Sequence, residues 1–499
     1  MQITREVLES YLACKYKAHL RLAGEQGTPS KFEAFAAEDR DEIRSAGRKR
    51  LTAHLDIDAL PRGITVTSSV LRDASPLILN GTIVVDDLIF CIDGLKRTKG
   101  SSRLGEFHYL PVLFDETERP GPAHKQLMAI AGLAIASLQG TWPAWGTLIY
   151  GRESKLRRFK LQRNGAQRLL RDVREMETLG GTPRLTLNKH CTQCEFQKRC
   201  RTEAEGKDDL SLLRSLGESE IKKYEDRGIF TVTQLSFTFR ARKRIKRSNH
   251  SRPVHNHPLQ ALAVRENRIY VVGTPVLPDS TTRIYFDLEG DPERAFDYLL
   301  GMIVQSNEGE ERYSFWADSP QDELCLFQQF VDVVSRFENP SLYSYGSYEA
   351  AFIRRMSQKT RQPDLGGQLL SRLVNVLSTI YSHVYFPAYS NGLKEIARLL
   401  GFCWTEPSAS GQLSVAWRRK WERTGSESLK NMLVQYNLED CIALQTVTAL
   451  LYDICPSVAP LDGPHAGSGE YAVTQVEDLK QSFSRPGFGD PDFTLPDFA

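Results

Sequence analysis

The residues of this chain best suited to chemistry are two carboxylates spaced two apart in Arg283-Ile-Tyr-Phe-Asp287-Leu-Glu289-Gly290. The surrounding run is apolar, β-branched and aromatic, which predicts a strand, and a strand directs Asp287 and Glu289 to one face. Two carboxylates at the end of a buried strand repel each other and lose hydration, a cost that a divalent cation removes. Tyr436 and Asp440 lie four residues apart in a long helical pattern from Leu429 to Leu451 and so share a helix face. Glu349 falls in the first turn of a predicted helix opened by Gly346-Ser347, with Ser347 as the expected N-cap.

A different chemistry is spelled out by Cys191-Thr-Gln-Cys194 followed by Cys200, a C-x2-C-x5-C cluster in a polar, basic setting. Three thiolates so close call for a fourth ligand. Cys14 is the nearest candidate, whereas Cys91, in an apolar strand, reads as ordinary core. Four thiolates suit zinc or an iron–sulfur cluster, and spacing alone does not choose between them. With nine cysteines, an odd number, and no charged-then-apolar leader at its N-terminus, the chain does not read as a disulfide framework.

At 499 residues the chain exceeds a single core, and its element pattern predicts an α/β protein of several domains to hold these groups. Helical patterns cover Arg5–Leu22 and Lys31–Leu55. Strands are expected around Gly63–Thr67, Leu77–Val85, Leu88–Leu95 and Glu106–Phe114, followed by a helix over His124–Leu138. After the strand bearing Asp287, strands are expected at Tyr298–Val304, Arg312–Trp316 and Ser341–Tyr345, with a helix at Gln321–Phe337. The expected divisions are 1–205, a helix-hairpin-helix-like module with a basic linker at 206–250, a connecting segment at 251–280, a second large domain at 281–460, and a flexible tail at 461–499.

A net charge of +2, from 64 basic and 62 acidic residues, argues against global attraction to nucleic acid, so local patches must supply any binding. One such patch is Arg240, Arg242, Lys243, Arg244, Lys246 and Arg247, read as a phosphate-contacting arm. It follows short helices broken at Gly217 and Gly228, which look like a helix-hairpin-helix module holding a phosphate on glycine-turn amides. His250, His255 and His257 lie just after it, with little to recommend them as metal ligands. The most apolar helical run, Leu127–Leu138, is too short to span a bilayer, and a cytoplasmic protein with no membrane association is expected.

A single early Cys followed, after a nuclease-sized domain, by C-x2-C-x5-C resembles the iron–sulfur-clasped RecB-like nucleases, among them CRISPR-associated adaptation nucleases and AddB-type recombination nucleases. The resemblance implies a PD-(D/E)XK-like fold for residues 1–205. It also implies a [4Fe–4S] cluster on Cys14, Cys191, Cys194 and Cys200, with zinc as the alternative. Asp93 would be the first metal-binding acid and Gln126 the glutamine of the helix after the core. The (D/E)-x-K element that this family carries on the next strand is missing. That strand reads His108-Tyr-Leu-Pro-Val-Leu-Phe114, with Pro111 and Val112 where the charges belong and only Glu106-x-His108 nearby. A degenerate nuclease domain is therefore expected.

The later constellation, D-x-E on a strand, an acid at a strand–helix junction and Y-x3-D on a late helix, resembles the DEDDy group of RNase H-like 3′–5′ exonucleases. More narrowly, Asn391-Gly-Leu-Lys394 through Gly401-Phe, with Trp417 and Trp421 downstream, resembles a family of uncharacterised RecB-like nucleases that pair an iron–sulfur-type domain with an RNase H-like one. This resemblance implies a mixed-sheet C-terminal domain and two-metal phosphodiester hydrolysis. Asp287, Glu289 and Asp440 would hold two Mg²⁺ or Mn²⁺ ions about 3.5–4 Å apart, and Tyr436 would orient the attacking water. Glu349 stands where the group usually has Asp, leaving direct ligation, water-mediated ligation and a helix-cap role open. The implied substrate is DNA or RNA with single-stranded ends. The alternative is a non-catalytic scaffold acting with a helicase or repair partner.

Overall fold

The computed structural model describes residues 2–178, 182–241, 255–454 and 471–479. Contacts divide the chain into two compact units, Met1–Glu203 and Ala204–Ala499. The basic residues Arg242, Lys243, Arg244, Lys246 and Arg247, together with His250, lie outside the described residues. No helix among the described residues is long and apolar enough to cross a membrane.

The first unit opens with strand β1 (Ile3–Thr4) and helices α1 (Arg5–Ala13), α2 (Lys15–Leu22) and α3 (Lys31–Thr52). Cys14 sits between α1 and α2 in an extended conformation, so the helix expected over Arg5–Leu22 is two. Next come α4 (Ser68–Arg72), β2 (Leu77–Val85), β3 (Leu88–Ser102), β4 (Gly105–Asp115) and α5 (Pro122–Gln139). The unit ends with β5 (Trp145–Tyr150), β6 (Lys155–Lys160), α6 (Arg163–Thr178) and α7 (Gln197–Gly206). Its strands form one six-stranded sheet in the order β1-β3-β4-β5-β6, with β2 on β3. The β4–β5 pair is parallel because α5 supplies the crossover, whereas the hairpins β2–β3, β3–β4 and β5–β6 are antiparallel. Met128, Ile130, Ala131 and Ile135 of α5 are fully buried in the core with Ile78, Phe90, Leu95 and Leu113 of the sheet.

The second unit begins with α8 (Glu218–Glu225), α9 (Val232–Ser236), α10 (His257–Glu266) and β7 (Ile269–Val271). Its main sheet uses β8 (Arg283–Asp291), β9 (Phe296–Ser306) and β10 (Gly309–Trp316), then α11 (Glu323–Val334) and β11 (Ser341–Ser344). After α12 (Tyr348–Lys359) and α13 (Pro363–Ser371) come β12 (Leu373–Asn375), α14 (Val376–His383), β13 (Val384–Tyr385), α15 (Leu393–Leu399) and α16 (Gly411–Thr424). The long helix α17 (Glu427–Ile454) and β14 (Val473–Gln475) complete it. The five strands run in the order β10-β9-β8-β11-β12, antiparallel across β10, β9 and β8 and parallel across β8, β11 and β12. The central β8 is covered on both faces, which is why Ile284, Tyr285 and Phe286 are apolar in succession rather than alternating with polar residues.

Five expectations are corrected. Gly63–Thr67 makes only isolated bridges, Arg62 to Leu79 and Thr65 to Thr82, because Gly63 takes a left-handed φ of +64° that interrupts an extended run. Cys91 is exposed, since it alternates outward between buried Phe90 and Ile92. The segment 251–280 is more than a connection, for α10 and β7 belong to it and β7 is the centre of a three-stranded sheet, β13-β7-β14. Within the expected tail, Val473–Gln475 pairs in parallel with Ile269–Val271. Ser347 occupies the N-cap position of α12 but makes no side-chain cap bond, because its backbone is αR rather than extended.

Candidate functional site

Asp287 and Glu289 project from β8, and α17 brings Asp440 to them. One ligand oxygen from each of the three lies within 4.8 Å of the others. That approach depends on Gly301, which faces Asp287 across the β8–β9 ladder. A Cβ at Gly301 would collide with Asn437 Oδ1 and stand 3.2 Å from Cys441 Sγ, so the bare position lets α17 settle onto the sheet. Asn437 in turn donates from Nδ2 to the Asp287 backbone carbonyl (3.2 Å) and to Asp287 Oδ2 (2.8 Å).

The other two acids are held with similar economy. Trp404 Nε1 donates to Asp440 Oδ1 at 2.7 Å, and the Ser414 hydroxyl of α16 donates to Glu289 Oε2. Tyr436 stacks edge-on to Trp417 with its hydroxyl towards Asp440. Lys394 of α15 sets its ammonium 4.3 Å from the Tyr436 ring centroid. Glu349, in the first turn of α12, is buried and close enough to raise Asp287, yet it stands outside the three-acid group, and its Oε2 has no hydrogen-bond partner.

Electrostatics make the set unstable as four anions. Burial, then Asp440, Glu289 and Glu349, push Asp287 well above the ordinary carboxyl range, even though part of its surface remains open. Glu289 is raised to about 8 by burial and Asp440, with Ser414 and Lys394 opposing. Burial lifts Glu349 to about 7 and Asp440 to about 6, the latter restrained by Lys394, Tyr436 and Trp404. Tyr436 is driven far upward by burial and the neighbouring carboxylates, so its phenol keeps its proton at neutral pH.

Other buried acids of the same unit differ. Asp291 pairs with Arg294 (2.9 Å) and Arg419 (3.0 Å), Glu422 with Arg294 (3.0 Å) and Arg418 (2.9 Å), and Glu323 with Arg355 and Lys359 (both 2.7 Å). Asp297 is bound by Arg355 and Tyr348. Among the described residues, Asp287, Glu289, Glu349 and Asp440 form no such ion pair. Their chemistry therefore fits a divalent cation.

In the first unit Asp93 meets the opposite fate. Its Oδ2 accepts from Arg5 Nη1 at 2.9 Å and from the Phe114 amide at 2.8 Å, both partners buried. Asp93, the acid that the resemblance assigns to a metal, is thus paired with an arginine in this structure. Gln126 is exposed at the start of α5. Arg240 donates to the Phe237 and Phe239 carbonyls at 2.7 and 2.8 Å, closing the end of α9. The glycine turn after α8 is also corrected. The Gly228 and Ile229 amides bond to Glu225 and Tyr224 carbonyls, and those of Phe230 and Thr231 to Gln234 Oε1, so the turn keeps no amide for a phosphate.

The cysteines converge within the first unit. Cys191, Cys194 and Cys200 are buried, Cys14 is half-buried, and Cys200 is raised to about 12 by burial and then by the three other thiols. Cys194 is raised to about 11, chiefly by burial. Bonds fasten the N-terminal helices to this segment: Lys17 and Arg21 each reach Glu195 at 2.7 Å, and Tyr16 reaches Glu203 at 2.7 Å.

With the geometry in hand, comparison with known proteins locates one relationship. Residues 284–452 match the family model of the RNase H superfamily, a span that includes all five acidic and tyrosine positions of the site. No curated protein matches the chain. The C-terminal region therefore carries an RNase H-like domain, a fold of nuclease type that uses divalent metal and takes nucleic acid. Sequence reasoning missed Trp404, Ser414, Asn437 and Gly301 as supports. Asn437 had a usable signal, an amide three residues before Asp440 on the same helix, whereas Trp404 and Ser414 reach the acids only through folding.

Proposed function

We propose that this chain is a metal-dependent nuclease whose C-terminal domain hydrolyses nucleic-acid phosphodiester bonds as a 3′–5′ exonuclease of the DEDDy type. The observation that carries the proposal is the contrast among buried acids: Asp291, Asp297 and Glu323 have arginine or lysine partners and Glu439 is held by Thr405 and Gln435, whereas Asp287, Glu289 and Asp440 converge beside Tyr436 without an ion pair. Asp287, Glu289 and Asp440 would hold Mg²⁺ or Mn²⁺, which when bound stabilises the attacking and leaving oxygens. Tyr436, protonated at neutral pH, orients the attacking water by hydrogen bonding rather than as a base. Lys394 moderates the repulsion among the acids, and Glu349 keeps a free carboxylate oxygen for a direct or water-mediated contact. Purified protein incubated with Mg²⁺ or Mn²⁺ and with 3′- or 5′-labelled single-stranded DNA and RNA tests this. Shortening from the 3′ end, lost in Asp440→Asn, is expected, whereas binding without cleavage would leave a nucleic-acid scaffold instead.

For the first unit the same reasoning supports a PD-(D/E)XK-like scaffold that does not cleave, clasped by a [4Fe–4S] cluster on Cys14, Cys191, Cys194 and Cys200. One zinc held at about 2.3 Å needs sulfurs about 3.8 Å apart. Burial of Cys191, Cys194 and Cys200 beside half-buried Cys14 gathers the four thiols, and the absorption spectrum decides between cluster and zinc. A brown protein absorbing near ~400 nm is expected, and a colourless sample carrying one zinc per chain would reverse the assignment.

A further inference from the structure

The second unit holds a cavity of about 310 Å³ that the catalytic reading does not use. Tyr345, Tyr381, Tyr389, His255, Gln260 and Asn391 line it. Four of its polar atoms have no hydrogen-bond partner: both ring nitrogens of His255, Gln260 Oε1 and Asn391 Oδ1. His255 is 8 % exposed and Gln260 2 %, so water reaches them poorly and their unmet polarity is costly. The His255 ring is packed 4.5 Å from Tyr381 and 5.0 Å from Tyr385, and the Tyr381 carbonyl acts on it without reaching hydrogen-bond geometry.

The orientation of Gln260 is fixed by its other end. Nε2 donates to the Phe386 and Ala388 carbonyls, both at 2.7 Å, which leaves Oε1 as an acceptor. Asn391 adds a second acceptor oxygen, and a neutral imidazole offers one donor and one acceptor.

The cavity and the acids are carried by neighbouring strands. Ser341 to Tyr343 pair with Arg283 to Tyr285 in parallel, and Tyr345 and Asp287 each follow two residues after the last of these pairs. The Tyr345 hydroxyl donates to the Asn391 carbonyl at 2.6 Å, and Leu393 on the wall adjoins Lys394 of the acidic site. The carboxyl ends of parallel strands are where α/β sheets receive ligands.

We propose that this cavity is a nucleobase pocket, holding one base of a single-stranded nucleic acid that bears an exocyclic amino group while the strand's phosphate lies at the acids. The tyrosines supply the apolar faces on which a base packs, and the acceptor oxygens meet its amino hydrogens. Thymine and uracil, which lack an exocyclic amine, fit less well. The proposal rests on the nuclease reading for the strand's placement.

Binding in the full-length Asp440→Asn protein, followed by fluorescence anisotropy, separates the pocket from cleavage. Moving one abasic nucleotide along a short oligonucleotide should weaken binding about tenfold at one position, in the range expected for losing a stacked base. His255→Phe keeps the ring and removes both nitrogens. It should weaken the intact strand by a similar factor, add nothing to the abasic loss, and reduce the preference for adenine or cytosine over thymine there. If His255→Phe lowers the melting temperature, Asn391→Ala serves the same test, since the Tyr345 bond uses the backbone carbonyl. Intact binding in the variants, or losses that multiply with the abasic loss, would overturn the pocket while leaving the nuclease proposal standing. Failure of every oligonucleotide to bind would remove both.

Discussion

Asp93 on β3 and Asp287 on β8 are both strand acids set among apolar neighbours, and their surroundings differ in one respect. Asp93 shares its Oδ2 between Arg5 and the Phe114 amide, so its charge is answered inside the protein. Asp287 is answered only by the Asn437 amide and faces Glu289, Glu349 and Asp440. A buried ion pair contributes to holding a fold in register, whereas an uncompensated acidic group raises the energy of the metal-free fold and creates affinity for a cation. The two strand acids can thus be separated by asking which already has a cationic partner.

The largest effect that tests this contrast is on cleavage. Asp440→Asn should lower metal-dependent cleavage on the order of a thousandfold, as expected when a group holding a catalytic cation is lost, while Asp93→Asn in folded protein should leave the rate unchanged. A dead Asp93→Asn enzyme with native melting behaviour would break the comparison. Stability should move in opposite directions. Asp93→Asn leaves Arg5 with Glu9 as its remaining carboxylate partner and should cost about 1–3 kcal/mol in the first unit, read by hydrogen exchange of β3. Glu289→Gln should instead stabilise the metal-free second unit by about 1–2 kcal/mol, at the expense of activity. Tyr436→Phe, which removes only the hydroxyl, should reduce cleavage about a hundredfold with little change in metal binding.

A further effect is a slope with pH. Asp440, Glu349 and Glu289 titrate in the fold at about 6, 7 and 8, against about 4 for unfolded carboxyls. A carboxyl raised in the fold contributes stability that is complete below the unfolded value and disappears as pH climbs through the folded one. Metal-free protein should therefore lose thermal stability between pH 4 and 8, and saturating Mg²⁺ should flatten that loss, as calorimetry with and without chelator would show.

Much of this arrangement was legible before folding was considered. The strand spacing of Asp287 and Glu289, the helical spacing of Tyr436 and Asp440, and the long α17 are local patterns, set by periods of two and about 3.6 residues. The RNase H-like character of the C-terminal region follows from their order along the chain. What the chain does not spell out is neutralisation. Arg5 and Asp93 stand 88 residues apart, so an arginine in a first helix gives no sign that it will occupy a strand acid. Trp404 and Asp440 are separated by 36 residues, and Ser414 and Glu289 by 125, with no pattern linking them. The strand at Val473–Gln475 was missed for a related reason: three residues carry little periodicity, and only its partner β7 makes them a strand.

Asn437 has a consequence for how the second unit folds. One amide group bonds both the backbone and the carboxylate of Asp287, and it reaches them only because Gly301 lacks a side chain. Docking of α17 and ordering of the site should then be coupled. Amides of α17 around Asn437 and those of β8 around Asp287 should share one opening free energy, and any ligand that tightens one should slow exchange in the other by the same factor. The site would thereby serve as the latch of its own domain.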